Sequence, residues 1–169
     1  MKERRDSRSE QLYNPLHKRN LAESTANALL ANVVTSLPPQ TPFTGAGIYA
    51  IYYVGDFAAY AAIAAGNRGG LFQNPIYVGK ALPPGARKGR YGLGESPGTV
   101  LFKRLREHAG SIQQTKHLKL EDFLCRYLVT DDIWIPLAEA VLIERFKPLW
   151  NRGVPTNLLP LVDARVKLK

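Results

Sequence analysis

Apolar and polar positions along the chain separate into a helical stretch, two short strands, a glycine-rich gap, and then helix, strand and helix again. In LAESTANALLANVVTSL, Leu21, Leu29, Leu30 and Val33 recur near helical spacing, which predicts a helix at about 21–36 closed by Pro38 and Pro39. Such a helix is too short to be a domain and has to pack on the core or on another subunit. GIYAIYYVG (47–55) and PIYVGKA (75–81) are β-branched and aromatic, and glycines bound the first, so both read as strands. Strands this close in sequence are most simply antiparallel neighbours. The alanine-rich DFAAYAAIAAGNRGG between them predicts a helix of about ten residues stopped by Gly66. TVLFKRLREHAGSI places Val100, Leu101, Leu105 and His108 on one side of a helix, with Thr99 as N-cap and Gly110 near the end. DFLCRYLVT (122–130) reads as a strand, and DDIWIP as a turn into LAEAVLIERFKPLWN. In that last helix Glu139 stands at the opening, sharing a face with Leu142, Ile143 and Phe146 before Pro148 stops it. A small antiparallel β-sheet flanked by helices follows, an α+β fold with an N-terminal helical arm.

Charge and composition narrow the function. Lys+Arg 23 against Asp+Glu 14 leaves a net charge of +9, which favours a polyanionic partner, nucleic acid before a membrane surface. Cys125 is the single cysteine, which excludes an internal disulfide framework; with three histidines it also argues against a Cys/His zinc site. No apolar stretch reaches the roughly 20 residues needed to span a bilayer, and MKERRDSRSEQ has no apolar segment behind it to make a secretory signal. The expectation is a reduced, cytoplasmic protein without a membrane partner. The gap at 82–98 holds five glycines and three prolines, and a loop of that length inside a compact domain usually has a task. Between 80 and 106, Lys80, Arg87, Lys88, Arg90, Lys103, Arg104 and Arg106 face a single acid, Glu95, and Tyr91 lies among them. This basic set is the candidate DNA-binding surface, in which Arg87 and Arg90 could read guanine edges and Lys88 could meet phosphate. No GxxxxGK[ST] or strand-linked GxGxxG is present, which leaves a phosphate-binding metabolic enzyme with little support.

The candidate chemistry lies on the strands and the later helices. Tyr49 closes the GIY tripeptide and Tyr77 opens YVG 28 residues later, and Arg104 and His108 project from one face of a helix. With GIY at 47–49, YVG at 77–79, the Arg104 helix, Glu139 and a closing Asn151, the chain resembles the GIY-YIG nuclease superfamily. The RLREH helix, the DFxCRY strand and the EAxLIxxxKPLWN helix carry the resemblance to its type II restriction endonucleases that cut CCGCGG, over roughly residues 37–151. Beyond Asn151 the eighteen remaining residues are dissimilar to those enzymes. This divides the chain into an arm and helix (1–40), the nuclease domain with its basic loop insertion (41–151), and a tail (152–169).

The resemblance implies hydrolysis of double-stranded DNA by a Tyr49-activated water. It assigns one Mg²⁺ per site to Glu139, with Mn²⁺ able to substitute, and the phosphate to Arg104. Tyr77 would orient water or phosphate, and Asn151 would brace the site. A free phenol has a pKa of about 10, so a cation from His108, Lys80 or Arg104 was needed to lower that of Tyr49, with His108 as proton relay. A palindromic site needs two cuts, which a C₂ homodimer supplies, the N-terminal arm and helix being the candidate contact. A cognate DNA methyltransferase would be a genetic rather than a physical partner. Each residue has a blander reading: core tyrosines, a helix-end histidine, a glutamate favouring the helix dipole, a capping asparagine. Tyr52, Tyr53, Trp150 and Cys125 read as core, and His17 and His117 belong to no constellation. Two other functions compete, a catalytically silent nucleic-acid-binding module and a nuclease of repair or mobile elements.

Overall fold

The computed structural model describes residues 13–83, 85 and 96–152. In chain order the elements are α1 (Lys18–Ala31), β1 (Thr35–Ser36), β2 (Gly47–Tyr53), α2 (Ala61–Ala65), β3 (Tyr77–Ala81), α3 (Val100–Gln113), β4 (Phe123–Val129) and α4 (Ile135–Phe146). The four strands form one antiparallel sheet in the order β1-β4-β2-β3. The expected α+β architecture is therefore present.

β2 lies between β4 and β3, and all seven of its residues are buried. Its alternate side chains serve two cores. Tyr49, Ile51 and Tyr53 meet Leu101, Leu105, Ala109 and Ile112 of α3, whereas Ile48, Ala50 and Tyr52 meet Ala26 and Leu29 of α1 and Ile135, Ala138 and Leu142 of α4. A strand covered on both faces has no polar alternation to show, which is why GIYAIYY reads as a continuous apolar run. Burying Ile48 and Ile51 contributes roughly 1.5–3 kcal/mol each. Helix α3 contacts the sheet through Leu101, Leu105, His108 and Ile112, a 4-3-4 spacing that puts a histidine into the packed stripe.

Several boundaries differ from expectation. α1 starts earlier and ends earlier than 21–36: His17 caps it by accepting the Arg19 N–H at Nδ1 (3.3 Å), and Val33 lies beyond its end, 86% exposed. The alanine-rich segment forms a 3₁₀ turn (Ala58–Tyr60) and the five-residue α2, ended by Gly66, instead of one ten-residue helix. Turn chemistry overrides alanine propensity there. The amide of buried Asn67 donates to Tyr53 O (3.0 Å) and Asn74 O (2.9 Å), and Arg68 donates to Val54 O (2.9 Å), folding the segment back against the end of β2. Thr99 precedes α3 without a side-chain cap bond; Gly45 O accepts the Leu101 N–H instead (3.2 Å), and the helix continues through Gly110 to Gln113. α4 opens at Ile135 with Pro136 in its first turn, where a missing N–H costs nothing. Glu139 therefore stands a full turn inside the helix, not at its opening, so an N-terminal dipole contact does not explain it. Among the described residues no helix is long and apolar enough to cross a membrane.

Candidate active site

Register places the two motif tyrosines. In the β2–β3 pair Tyr49 lies opposite Gly79 and Ile51 opposite Tyr77, so both phenols point to the α3 face. Arg104 and His108, four residues apart on α3, face them. Tyr49 Oη and His108 Nε2 are 2.6 Å apart, and the Tyr49, Tyr77 and His108 rings form a triangle with centroid separations of 6.0, 5.4 and 5.0 Å.

Gly79 makes this triangle possible. A Cβ there would stand 2.5 Å from Tyr49 Oη, 2.7 Å from its ring carbon Cζ and 2.7 Å from Tyr77 Cε1. The Tyr49 phenol lies across the backbone of β3 because that position has no side chain. The YVG motif thus places Tyr77 and leaves room for Tyr49.

The electrostatics correct one expectation. Burial, reinforced by the Arg104 charge, pushes the His108 imidazole down to about 3, so it is neutral near pH 7 and cannot act as a cation beside Tyr49. Lys80 does not serve either, because its ammonium is paired with Glu139. Burial raises Tyr49 above the ordinary phenol value and Tyr77 adds to the rise, while Arg104 opposes both and is outweighed. His108 meets Tyr49 as a neutral ring, and with the proton on Nδ1 its Nε2 accepts the phenolic hydrogen.

Lys80 follows Gly79, so its side chain points to the opposite face, where α4 packs. There it donates to Glu139 Oε2; the two side chains are 34% and 17% exposed. Among the described residues no hydrogen bond or ion pair joins Glu139 to Tyr49, Tyr77 or His108. The structure gathers Tyr49, Tyr77, Arg104 and His108 on one face and Glu139 with Lys80 on the other. The two groups lie on either side of the sheet at β3, the edge strand.

Asn151 closes that edge. Its Oδ1 accepts the Val78 N–H (2.9 Å) and its Nδ2 donates to Val78 O (2.8 Å), the two bonds a neighbouring strand would have made. Trp150 N–H adds a bond to Ile76 O (3.0 Å) and its indole N–H one to Tyr60 Oη (3.1 Å). Asn151→Ala is expected to cost about 1–3 kcal/mol, the penalty for unpairing Val78. Urea unfolding measures the loss, and faster exchange of the Val78 amide locates it.

Lys103 and Arg106 are exposed on α3, while Arg104 is half-buried and donates to Glu107 (2.9 Å). Arg87, Lys88, Arg90 and Tyr91 lie outside the described residues, as does the tail beyond Arg152. Tyr52, Tyr53, Trp150 and Cys125 are buried as expected. Sequence reasoning missed the Lys80–Glu139 pair and the spatial role of Gly79. The second was accessible in principle, since a hairpin register pairing the two motifs puts Gly79 opposite Tyr49.

Among the described residues no three His, Cys, Asp or Glu side chains gather as a metal cluster. A closed zinc centre does not fit that set. One carboxylate on a rigid helix does suit Mg²⁺, which keeps most of its waters and takes one or two carboxylates.

A GIY motif on a central strand, YVG on the edge strand beside it, an Arg/His helix on one face and a glutamate helix on the other define a GIY-YIG nuclease. The chain belongs to the family described as the Eco29kI GIY-YIG domain, a restriction endonuclease family whose model matches residues 41–156. A comparison with curated proteins finds no match.

Proposed function

We propose that the protein is a type II restriction endonuclease that cuts both strands of DNA at a GC-rich palindrome such as CCGCGG, with Tyr49 taking the proton from the attacking water. The observation that carries this reading is the 2.6 Å contact between Tyr49 Oη and a neutral His108 Nε2. A phenol whose pKa is raised cannot wait as phenolate. It can accept the water proton at Oη as its own hydrogen moves to Nε2 and the Nδ1 proton is given up to solvent, so that neither a free phenolate nor an imidazolium has to persist. Arg104, lying against the same phenol, offers fixed donors to a non-bridging phosphate oxygen as charge grows there. Tyr77, beside both rings, orients water or phosphate. Glu139 would hold Mg²⁺, or Mn²⁺ in its place, which when bound supplies positive charge for the phosphate and the leaving 3′ oxygen.

The exposed Lys103 and Arg106 extend the cationic surface of α3 past Arg104, and Arg87, Lys88, Arg90 and Tyr91 are the proposed base readers. A homodimer gives the two cuts a palindrome needs. The inner face of α1 already packs on α4, so a dimer contact through this helix uses its outer side. A methyltransferase of the same specificity is its expected genetic partner.

A mapped plasmid incubated with Mg²⁺ or with EDTA tests the reading. The expected result is discrete fragments in Mg²⁺, none in EDTA, and none from Glu139→Gln in either. A smear removes the site specificity. No cutting at any metal concentration removes the enzyme assignment and leaves a silent DNA-binding module.

A further inference from the structure

Glu139 and Lys80 are 59 residues apart in sequence and are held by rigid elements on either side of their contact. Lys80 sits on β3, its backbone registered against Ile48 of the buried central strand and anchored two residues earlier by Asn151 at Val78. Glu139 sits inside α4 between the buried Ala138 and Leu142. Lys80 Nζ is the hydrogen-bond partner of Glu139 among the described residues, and the carboxylate in turn is that of Lys80. The pair is half-buried, where an ion pair is less screened than on the open surface.

A carboxylate oxygen occupied by an ammonium is not free for a metal ion. A divalent cation arriving at Glu139 must displace Nζ, or bind the other oxygen with the ammonium a few ångströms away, where like charges repel. A lysine has the means to leave: a compact charge on a flexible four-carbon stem that can swing while its backbone stays fixed. The proposed reaction also brings in a phosphate, which is an alternative anion for that ammonium.

We propose that Lys80 is an exchangeable counter-ion, a positioning residue that occupies Glu139 until a divalent cation and DNA arrive together, and that a phosphate oxygen is its second partner. This rests on the reading of Glu139 as the metal ligand. It makes metal and DNA binding mutually supportive: DNA draws the ammonium off the carboxylate, the metal releases the ammonium to DNA, and the two effects are equal by linkage. The DNA-free protein is thereby kept a weak metal binder.

The test is calorimetric titration of Mn²⁺ into the full-length protein, with and without a duplex carrying the cleaved sequence, the duplex bearing non-hydrolysable linkages at the cut positions. Lys80→Met is expected to bind Mn²⁺ about tenfold more tightly than wild type without DNA, the scale of a half-buried ion pair no longer broken on binding. It should also lose most of the gain that DNA gives the wild type. Lys80→Arg keeps the charge and is expected to stay a weak binder, and Lys80→Gln serves if Lys80→Met does not fold. Equal Mn²⁺ affinity of wild type and the neutral variants overturns the counter-ion role, while Glu139→Gln abolishing binding in that same series leaves Glu139 as ligand. If Glu139→Gln binds Mn²⁺ as well as wild type, the metal reading itself falls and the Lys80 proposal with it.

Discussion

Gly79→Ala is expected to lower single-turnover DNA cleavage by at least about a hundredfold, the scale of loss when a reacting group is displaced by about 1 Å. The added methyl would stand 2.5 Å from Tyr49 Oη and 2.7 Å from ring carbons of both Tyr49 and Tyr77. The Tyr49 ring has little room to retreat. Tyr49 is fully buried on the central strand, packed against Ile51 and the α3 residues Leu101 and Leu105, and its hydroxyl is bonded to His108. Gly79 does not have a positive φ, so the substitution introduces no backbone strain and its effect comes from the methyl alone. Overpacking of this kind costs about 1–3 kcal/mol, which urea unfolding would register beside the larger loss of cleavage. A Gly79→Ala protein that cleaves within threefold of wild type would mean that the Tyr49 phenol need not lie across β3 to act.

The same glycine shows how far the sequence could be read. The strands were legible because β2 is buried on both faces and must be apolar at every position, and the α3 stripe because one face of that helix packs on the sheet. The four residues on the α3 face were legible from motif order and helical spacing. Glu139 was misplaced within its helix because Pro136 looks like a stop, although a proline in the first turn is compatible with a helix. The Val33 side chain extended the apolar pattern of α1, yet it faces solvent, and the helix start was set by an imidazole cap that periodicity does not register. The two residues of β1 are too few for any pattern. Lys80 read as a DNA contact or a cation for Tyr49 and Glu139 as a metal ligand, and only the packing of α4 against β3 brings the two together. Charge sites of this kind depend on tertiary contacts, which local sequence does not encode.

His108→Ala is expected to slow single-turnover cleavage by about a hundred- to ten-thousandfold, the range for removing a positioned acid–base group. The variant takes from the Tyr49 hydroxyl its imidazole acceptor in a site where burial already raises its pKa, so the phenol would lose the base that takes its proton as it receives one from water. Two pH profiles separate this role from a merely structural one. Because the folded imidazole titrates at about 3, far below the ordinary 6.5, wild-type cleavage should show no acid limb near pH 6.5 from this residue. The unfolded chain, with the ordinary value, takes up the proton first. Wild type therefore has the full stability of its neutral histidine above pH 6.5 and loses it progressively as the pH falls toward 3. The alanine variant, less stable at neutral pH through its cavity, lacks that proton uptake. The stability gap between the two, read from urea midpoints, should narrow from pH 7 to pH 4. A gap that widens toward acid would mean His108 is charged in the folded protein, and an alanine variant cutting within a few-fold of wild type from pH 6 to 9 would mean that Tyr49 gives up its proton elsewhere.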